Sequence, residues 1–479
     1  MAVALSIGIL LIHLGFVVRV LSGPSRAPAS RSTWVLALLL FPVGGVVAYL
    51  MFGERYMPKK KRLAGEAALA RATQTADEAL TTAGVVCLPT SEPARSIATL
   101  LHRSCGLPPV SGNHAELMAD ADVAMATLAA DIEAAQESVH LGFYIWLADR
   151  NGLLIKDAVM RAARRGIMCR VMADAIGSRA FIDSAHWQDL RDAGVHLVRT
   201  LHESMIAWGL GAGRIDLRDH RKIMVIDNRI TFVGSQNCAD AAFEVKPRFA
   251  PWVDILVRFE GPIALEMQAL FLSGWETSSG EDLSAMLVLP PPSDTINGVC
   301  VQGMGCGPFD THEIMANLFV SIIYAATRTL CITTPYFVPD GAILAALSTA
   351  ARRGVRVDLI LPQRNDSTIV RAISLSDYPG LIEAGVHIHE FRDGLLHAKT
   401  MTVDGELALF GSANLDRRSL ELNFENNVVV YDPALTAIIR ARQQTYLDSS
   451  VPVEAAAIAR WPLYRRVWQN ALSIIGPVF

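Results

Sequence analysis

Two stretches of this chain share one spacing. "HRKIMVIDNRITFVGSQN" runs from His220 to Asn237, and "HAKTMTVDGELALFGSAN" from His397 to Asn414. Both read H-x-K, four residues, D, six residues, G-S-x-N. The duplication extends outward from them. "AARRGI" (Ala162 to Ile167) recurs as "AARRGV" (Ala350 to Val355), and "DAGVHL" (Asp192 to Leu197) as "EAGVHI" (Glu383 to Ile388). Each half therefore reads in one order: a strand ("SVHLGFYIW", "TLCITTPYF"), a helix ending in RRG, a strand ("MCRVMAD", "RVDLILP"), a helix ending at AGV, then the motif. Helices closed by Gly before β-branched runs indicate alternating α/β structure, and a repeat of that order means two copies of one unit. We place the halves at 108–282 and 298–479, with a Pro-rich linker, 283–297, between them.

Residues two apart on a strand point to the same face, so His220 and Lys222 project together, as do His397 and Lys399. Asp227-Asn and Asp404-Gly mark the turns, and the returning strands bring Ser235 and Asn237, or Ser412 and Asn414, back beside the start of each motif. Each copy thus gathers an imidazole, an ammonium, a hydroxyl and a carboxamide. Lys, Ser and Asn are donors suited to the non-bridging oxygens of a phosphodiester. One such set binds phosphate; two facing sets supply a two-step displacement. One histidine attacks phosphorus, and the other protonates the leaving alkoxide and then deprotonates the incoming alcohol. Two lysines neutralise the charge, so no metal or cofactor is required. Asp227 and Asp404 are expected to brace their hairpins rather than touch the phosphate. Each histidine needs a carboxylate to fix its tautomer. Asp254 is the candidate for His220, with Glu244 in reserve, and Glu425 is the candidate for His397. His13, His186, His196, His202, His387 and His389 lack a repeated partner set and read as packing or surface residues.

Half of the 479 residues are hydrophobic and only 19% are charged. The excess lies at the N-terminus, where Ala2–Leu21 and Trp34–Phe52 each approach the ~20 residues that cross a bilayer. They predict a two-span membrane hairpin over residues 1–53, with a basic flank and linker over 54–107. Arg55, Lys59, Lys60, Lys61 and Arg62 outweigh Arg26 and Arg31 in the connector, which places the rest of the chain in the cytoplasm. Net charge is −4, so nothing draws in nucleic acid. Seven cysteines without a CxxC pair read as reduced, packed thiols, with no zinc site. Between AGV and its motif the first half carries an insertion, "TLHESMIAWGLGAGRIDLRD". It is either the lining of a lipid entrance or an ordinary loop. The C-terminal "YRRVWQNALSIIGPVF" is either an interfacial helix or one that closes the core.

The paired motifs, together with "DLRDHRKIMVID", "TTPYFVP", "GLLHAKTMTVDGELALFGSANLDRRSLELNFE" and "RWPLYRRVWQN", resemble the phospholipase D superfamily. Within it they are similar to the bacterial cardiolipin synthases of the phospholipase D type. That resemblance implies two fused α/β/α halves about a pseudo-twofold, with one active site at their interface. It implies catalytic roles for His220, Lys222, Asp227, His397, Lys399 and Asp404 in a multi-pass protein of the bacterial inner membrane. The implied reaction turns two phosphatidylglycerol molecules into cardiolipin and glycerol through a phosphatidyl-histidine. The repeat is symmetric, so its residues do not choose the nucleophile; the resemblance favours His220. The same site also suits a phospholipase D hydrolase, a phosphatidylserine synthase or a nuclease, the last opposed by the charge and the anchor. A non-catalytic receptor for anionic lipid would not need both histidines. Acyl preference, acceptor range and oligomeric state have no signature in the chain.

Overall fold

The structure, a computed structural model, describes residues 2–22, 28–53, 57, 59–201, 216–291, 298–308 and 313–474. Its central feature is a single continuous sheet of fifteen strands among the described residues. From the middle outward, the first half runs Val110–Leu117, Leu256–Glu260, Ile230–Gly234, Ile223–Ile226, Ser138–Phe143, Met168–Asp174, His196–Thr200. The second half repeats this as Val299–Cys306, Glu425–Val430, Leu407–Gly411, Thr400–Val403, Thr329–Thr333, Arg356–Pro362, His387–Phe391, with Ser450–Pro452 added at its edge. The two join where Val110 pairs antiparallel with Val301. The helices Arg150–Arg164 and Gly341–Arg352 both stop at RRG, where Gly166 and Gly354 take φ of 92° and 89°. A side chain there would be strained, which is why both helices end in glycine.

Outer helices of each half cover one face. In the first half Leu128, Ile132 and Val159 pack on Leu141, Val171 and Phe232; in the second Phe319, Ile322 and Leu347 pack on Leu330, Ile332 and Leu359. A third cluster belongs to both halves, with Val225, Phe259 and Leu270 from the first and Phe410, Val428 and Ile439 from the second. The inner helices Ile263–Ser279 and Pro433–Asp448 contribute to it. The layers are therefore α/β/α, as the repeat predicts.

Three expectations need correction. Residues 54–107 are more than a flank and linker. Helix α4 (Lys59–Thr82, after α1, Ala2–Ser22, α2, Pro28–Leu40, and α3, Pro42–Phe52) buries Ala68, Ala72, Ala76 and Leu80, and Ala72, Ala76 and Leu80 join the shared cluster. The following helix Glu92–Cys105 buries Ile97 and Leu101 against the second half. Small residues at helical spacing allow that close approach, and their low hydropathy hid it. Second, the apolar stretch Trp34–Phe52 is not one helix. Phe41 is non-helical and Pro42 starts α3, because proline cannot continue the hydrogen bonding of α2. Among the described residues no helix is long and apolar enough to cross a membrane. The three N-terminal helices nevertheless pack together through Val20, Trp34, Leu38 and Tyr49.

Third, not all cysteines are free thiols. Cys87 and Cys300 form a disulfide across 213 residues of sequence. Val86 bridges to Val110, whose strand pairs with the one carrying Cys300, so the topology brings together what spacing could not relate. Cys105, Cys169, Cys238, Cys306 and Cys331 take no part in that disulfide. Most of the insertion before the first motif, residues 202–215 with His202, lies outside the described residues, as do Arg26 and Arg55 of the basic comparison.

Candidate active site

Each motif is a hairpin whose turn is tied down by its aspartate. Asp227 and Asp404 take φ of 52° and 54° at the turns. The Asp227 carboxylate accepts the backbone N–H groups of Gln136, Glu137 and Ser138 at 2.8–2.9 Å. Asp404 accepts those of Thr327, Arg328 and Thr329 at 2.7–2.8 Å, and the Thr327 hydroxyl besides. Both aspartates therefore lock the hairpin to the start of the neighbouring strand, four or more residues along the strand from their histidine. The resemblance had grouped them with the reacting groups.

At the opposite strand ends the four basic groups are buried. His220 is 8% exposed, His397 3%, Lys222 0% and Lys399 3%, so solvent cannot compete for their partners. Each lysine turns back on its own motif: Lys222 Nζ donates to the His220 carbonyl at 2.7 Å and Lys399 Nζ to that of His397 at 2.6 Å. Tyr144 meets the His220 ring edge-on at 4.9 Å between centroids and also lies beneath Lys222 Nζ. Trp252 tilts over His397 at 4.6 Å. Neither aromatic belongs to a motif. Their one sequence signal was position, Tyr144 just past a strand end and Trp252 two residues before Asp254.

The carboxylates are the expected pair with their histidines exchanged. His220 Nδ1 lies 2.8 Å from Glu425, and His397 Nδ1 lies 2.6 Å from Asp254. Each half supplies the carboxylate for the other half's histidine. Backbone pairing explains the crossing. After its hairpin the first half sends Trp252–Val253 across to pair with Leu395–Leu396, and His397 N–H donates to the Val253 carbonyl. The second half sends Phe424 across to Asp219, and His220 N–H donates to the Phe424 carbonyl. Asp254 and Glu425 are the next residues along, so they land beside the partner histidine. Glu244, the reserve, is exposed and takes no part.

The serines also differ from expectation. Ser235 Oγ donates to Asp254 at 2.5 Å, and Ser412 Oγ donates to Glu425. Both are fully buried, with these hydroxyls turned to the carboxylates. Ser419 and Asn423 complete the Glu425 set at 2.8 and 3.2 Å. Asn237 Oδ1 accepts from the Ile145 N–H at 3.2 Å, which leaves its amide nitrogen as a donor. Asn414 holds its backbone on Ser419, and its buried Oδ1 has no hydrogen-bond partner among the described residues.

A carboxylate only accepts, so each Nδ1 carries a proton and each Nε2 is left to hold either a lone pair or a second proton. Burial is the chief cause that drives the His220 pKa down to about 4, aided by Lys222 and Lys399 and opposed by Glu425. His397 is lowered as well, by burial, then by Lys399. Burial pulls Lys222 to about 8 and Lys399 to about 7, although both carboxylates act against it. For Glu425 and Asp254 burial alone would raise the pKa; the opposing His220 and His397 outweigh it and leave both carboxyls low. Lysines and histidines of each half feel the charges of the other, which makes the six groups one site. Asp416, buried beside Lys399 and pushed up to about 6 chiefly by burial, borders it and had no sequence signal.

A cavity of about 740 Å³ backs onto this site. Lys61, Arg62 and Leu69 of α4, with Leu270, Ile314 and Phe424, are among its lining residues, and it reaches Glu425. That volume falls in the ordinary range for a small-molecule pocket.

Comparison with known proteins extends the likeness over the chain. A family model described as "Cardiolipin synthase, PLD-like domain" matches residues 128–255 and 319–445, one span per half. A second, "Phospholipase_D-nuclease N-terminal", matches 9–54. Cardiolipin synthase A of Serratia proteamaculans (strain 568) is 35% identical over 98% of this chain and 97% of its own length. Cardiolipin synthase A of Salmonella newport (strain SL254) is 35% identical over 95% and 93%. Among solved structures, phosphatidylserine synthase of Haemophilus influenzae Rd KW20 superimposes with a TM-score of 0.61. It covers 80% of this chain and all of its own, at 14% identity, a likeness of fold alone.

Proposed function

Because the chain belongs to the cardiolipin synthase family of PLD-like phosphatidyltransferases, we propose that it joins two phosphatidylglycerol molecules into cardiolipin and releases glycerol. The observation that carries this reading is the pair of histidines with Nδ1 anchored on carboxylates from opposite halves. His220 Nε2 attacks the phosphorus of the first lipid, and the P–O bond to its terminal glycerol breaks. His397, which enters this step protonated at Nε2 as well as at Nδ1, gives that oxygen its Nε2 proton. The terminal hydroxyl of a second phosphatidylglycerol then enters, loses its proton to His397, and attacks phosphorus; the P–N bond to His220 breaks and cardiolipin leaves. We give His220 the nucleophile's role, which the family resemblance favours, and burial, by holding its pKa down to about 4, keeps its lone pair available. Its carboxylate is also the better held, by two hydroxyls and an amide against one hydroxyl on Asp254. Lys222, Lys399 and the amide of Asn237 meet the phosphate oxygens, whose charge grows in the transition state.

α1 to α3 hold the enzyme as an anchor in the bacterial inner membrane, with α3 folded back on α2 where the Trp34 and Tyr49 rings meet at 5.3 Å between centroids. Lys59, Lys60, Lys61 and Arg62 place the catalytic halves on the cytoplasmic side. Anchorage concentrates the lipid acceptor at the site, and burial of the histidines limits water, so transfer prevails over hydrolysis. Purified protein with headgroup-labelled phosphatidylglycerol tests the reading. Cardiolipin and free glycerol should form in equal amounts; phosphatidic acid with glycerol and no cardiolipin would overturn it in favour of a hydrolase.

A further inference from the structure

The C-terminal helix Leu463–Ser473 does not close the core. Only Gln469 is buried, where the helix rests near helix Thr368–Glu383. Its apolar residues face outward: Leu463 is 74% exposed, Tyr464 78%, Val467 59% and Trp468 62%, and Ile474 follows at 57%. At about 100° per residue these side chains occupy one arc of roughly 140°, with Gln469 opposite it. Arg465 and Arg466 fall on either side of the arc. Arg465 is steadied over the Trp461 ring at 4.1 Å, and Arg460 precedes the helix. A soluble surface would not carry two exposed aromatics and three aliphatics on one stripe without something to cover them.

The neighbouring element identifies the cover. Thr33 Oγ1 donates to the Ile474 carbonyl at 3.3 Å, across 441 residues of sequence. The C-terminal helix is thereby fastened to α2, whose Leu36, Leu39 and Leu40 are themselves exposed. The apolar stripe therefore meets a helix of the anchor at its Ile474 end. Its flanking arginines complement anionic headgroups, and an indole with a phenol suits the headgroup boundary. We infer that the helix Leu463–Ser473 lies in the interfacial plane of an anionic bilayer as a second attachment point, with Trp468 at the depth of the first acyl carbons. The inference rests on the membrane placement of α1 to α3. Attachment at two points, through opposite ends of the chain, fixes how the molecule stands on the bilayer, which one hairpin cannot do.

The test uses the full chain reconstituted in vesicles of phosphatidylcholine and phosphatidylglycerol. Trp468→Phe isolates one indole among eight as the difference between two emission spectra. With phosphatidylcholine brominated near the carbonyl end of its chains, the Trp468 emission should fall by at least half. Bromine placed toward the chain ends should quench it less. Val467→Asp, a charge in the middle of the stripe, should abolish that quenching while the protein still floats with vesicles. Emission indifferent to both bromolipids, as when a second copy covers the stripe, overturns the inference, and so does deeper bromine quenching more strongly. Failure of the wild-type chain to float would instead overturn the anchoring role of α1 to α3.

Discussion

The exchange of carboxylates between halves makes the two histidines chemically distinguishable by mutation. Glu425→Gln frees the His220 tautomer, and Asp254→Asn that of His397, so each should lower turnover of natural lipid about a thousandfold or more. Their effects on an activated substrate should part. A phosphatidyl ester of p-nitrophenol needs no acid, so Asp254→Asn should keep its burst of nitrophenol while Glu425→Gln loses it. Stopped-flow absorbance reads this directly. Pairing within each half would give the reverse. The lysines and His397, whose proton the first step needs, set the alkaline limb of the pH dependence, and burial lowers all three. A lysine with a depressed pKa is charged below that value and neutral above it. The kcat/KM profile should therefore fall as pH rises through the window of about 7 to 8 given by Lys399 and Lys222. No matching loss from His220 is expected until pH approaches about 4. Bound phosphate raises both lysines, so kcat should hold to higher pH than kcat/KM. A profile flat to pH 10 would mean that the lysines keep their ordinary values.

At the scale of elements, the hairpin explains what the repeated spacing is for. Four residues from Lys to Asp carry one strand from the site to its far end, and six carry the next strand back. Asp227→Ala removes three hydrogen bonds to one backbone segment and should cost about 2 kcal/mol of stability. Turnover per folded molecule should change by no more than a few fold. Thermal unfolding with an active-site titration separates the two, and a thousandfold loss of turnover in a folded variant would return Asp227 to the reacting groups. The hairpin was legible because every part of it is local: H-x-K parity, an Asp-Asn or Asp-Gly turn and the return. The carboxylate partners were not. Asp254 and Glu425 stood out as residues, but their histidines lie 143 and 205 positions away, and one short crossing strand and one isolated bridge decide the pairing. The serines misled for a related reason. A donor near a presumed phosphate looks like a ligand until a buried carboxylate claims it.

From residue 108 onward the molecule is two copies of one layered unit, as the sequence repeat requires, and the structure adds that they share an inner core. The repeat does not reveal the α4 segment, which packs through alanines, or the Cys87–Cys300 disulfide, which bears on orientation. Disulfides are rare in the cytosol, whereas the basic cluster after α3 argues for the cytoplasmic face. On the proposed orientation both cysteines should be thiols in living cells. Lysis into an alkylating reagent should label Cys87 and Cys300 alike; protection of both until reduction would place the halves on the oxidising side. The catalytic claim depends on neither outcome. Its most direct measurement is the search for the intermediate. His397→Ala, given the p-nitrophenyl phosphatidyl ester, should accumulate one phosphatidyl group that mass spectrometry of the digested protein locates on His220. His220→Ala should accumulate none. An adduct on His397 in the His220→Ala protein, with none in the reverse variant, would exchange the two roles, and the absence of any adduct in either protein would contradict a covalent mechanism.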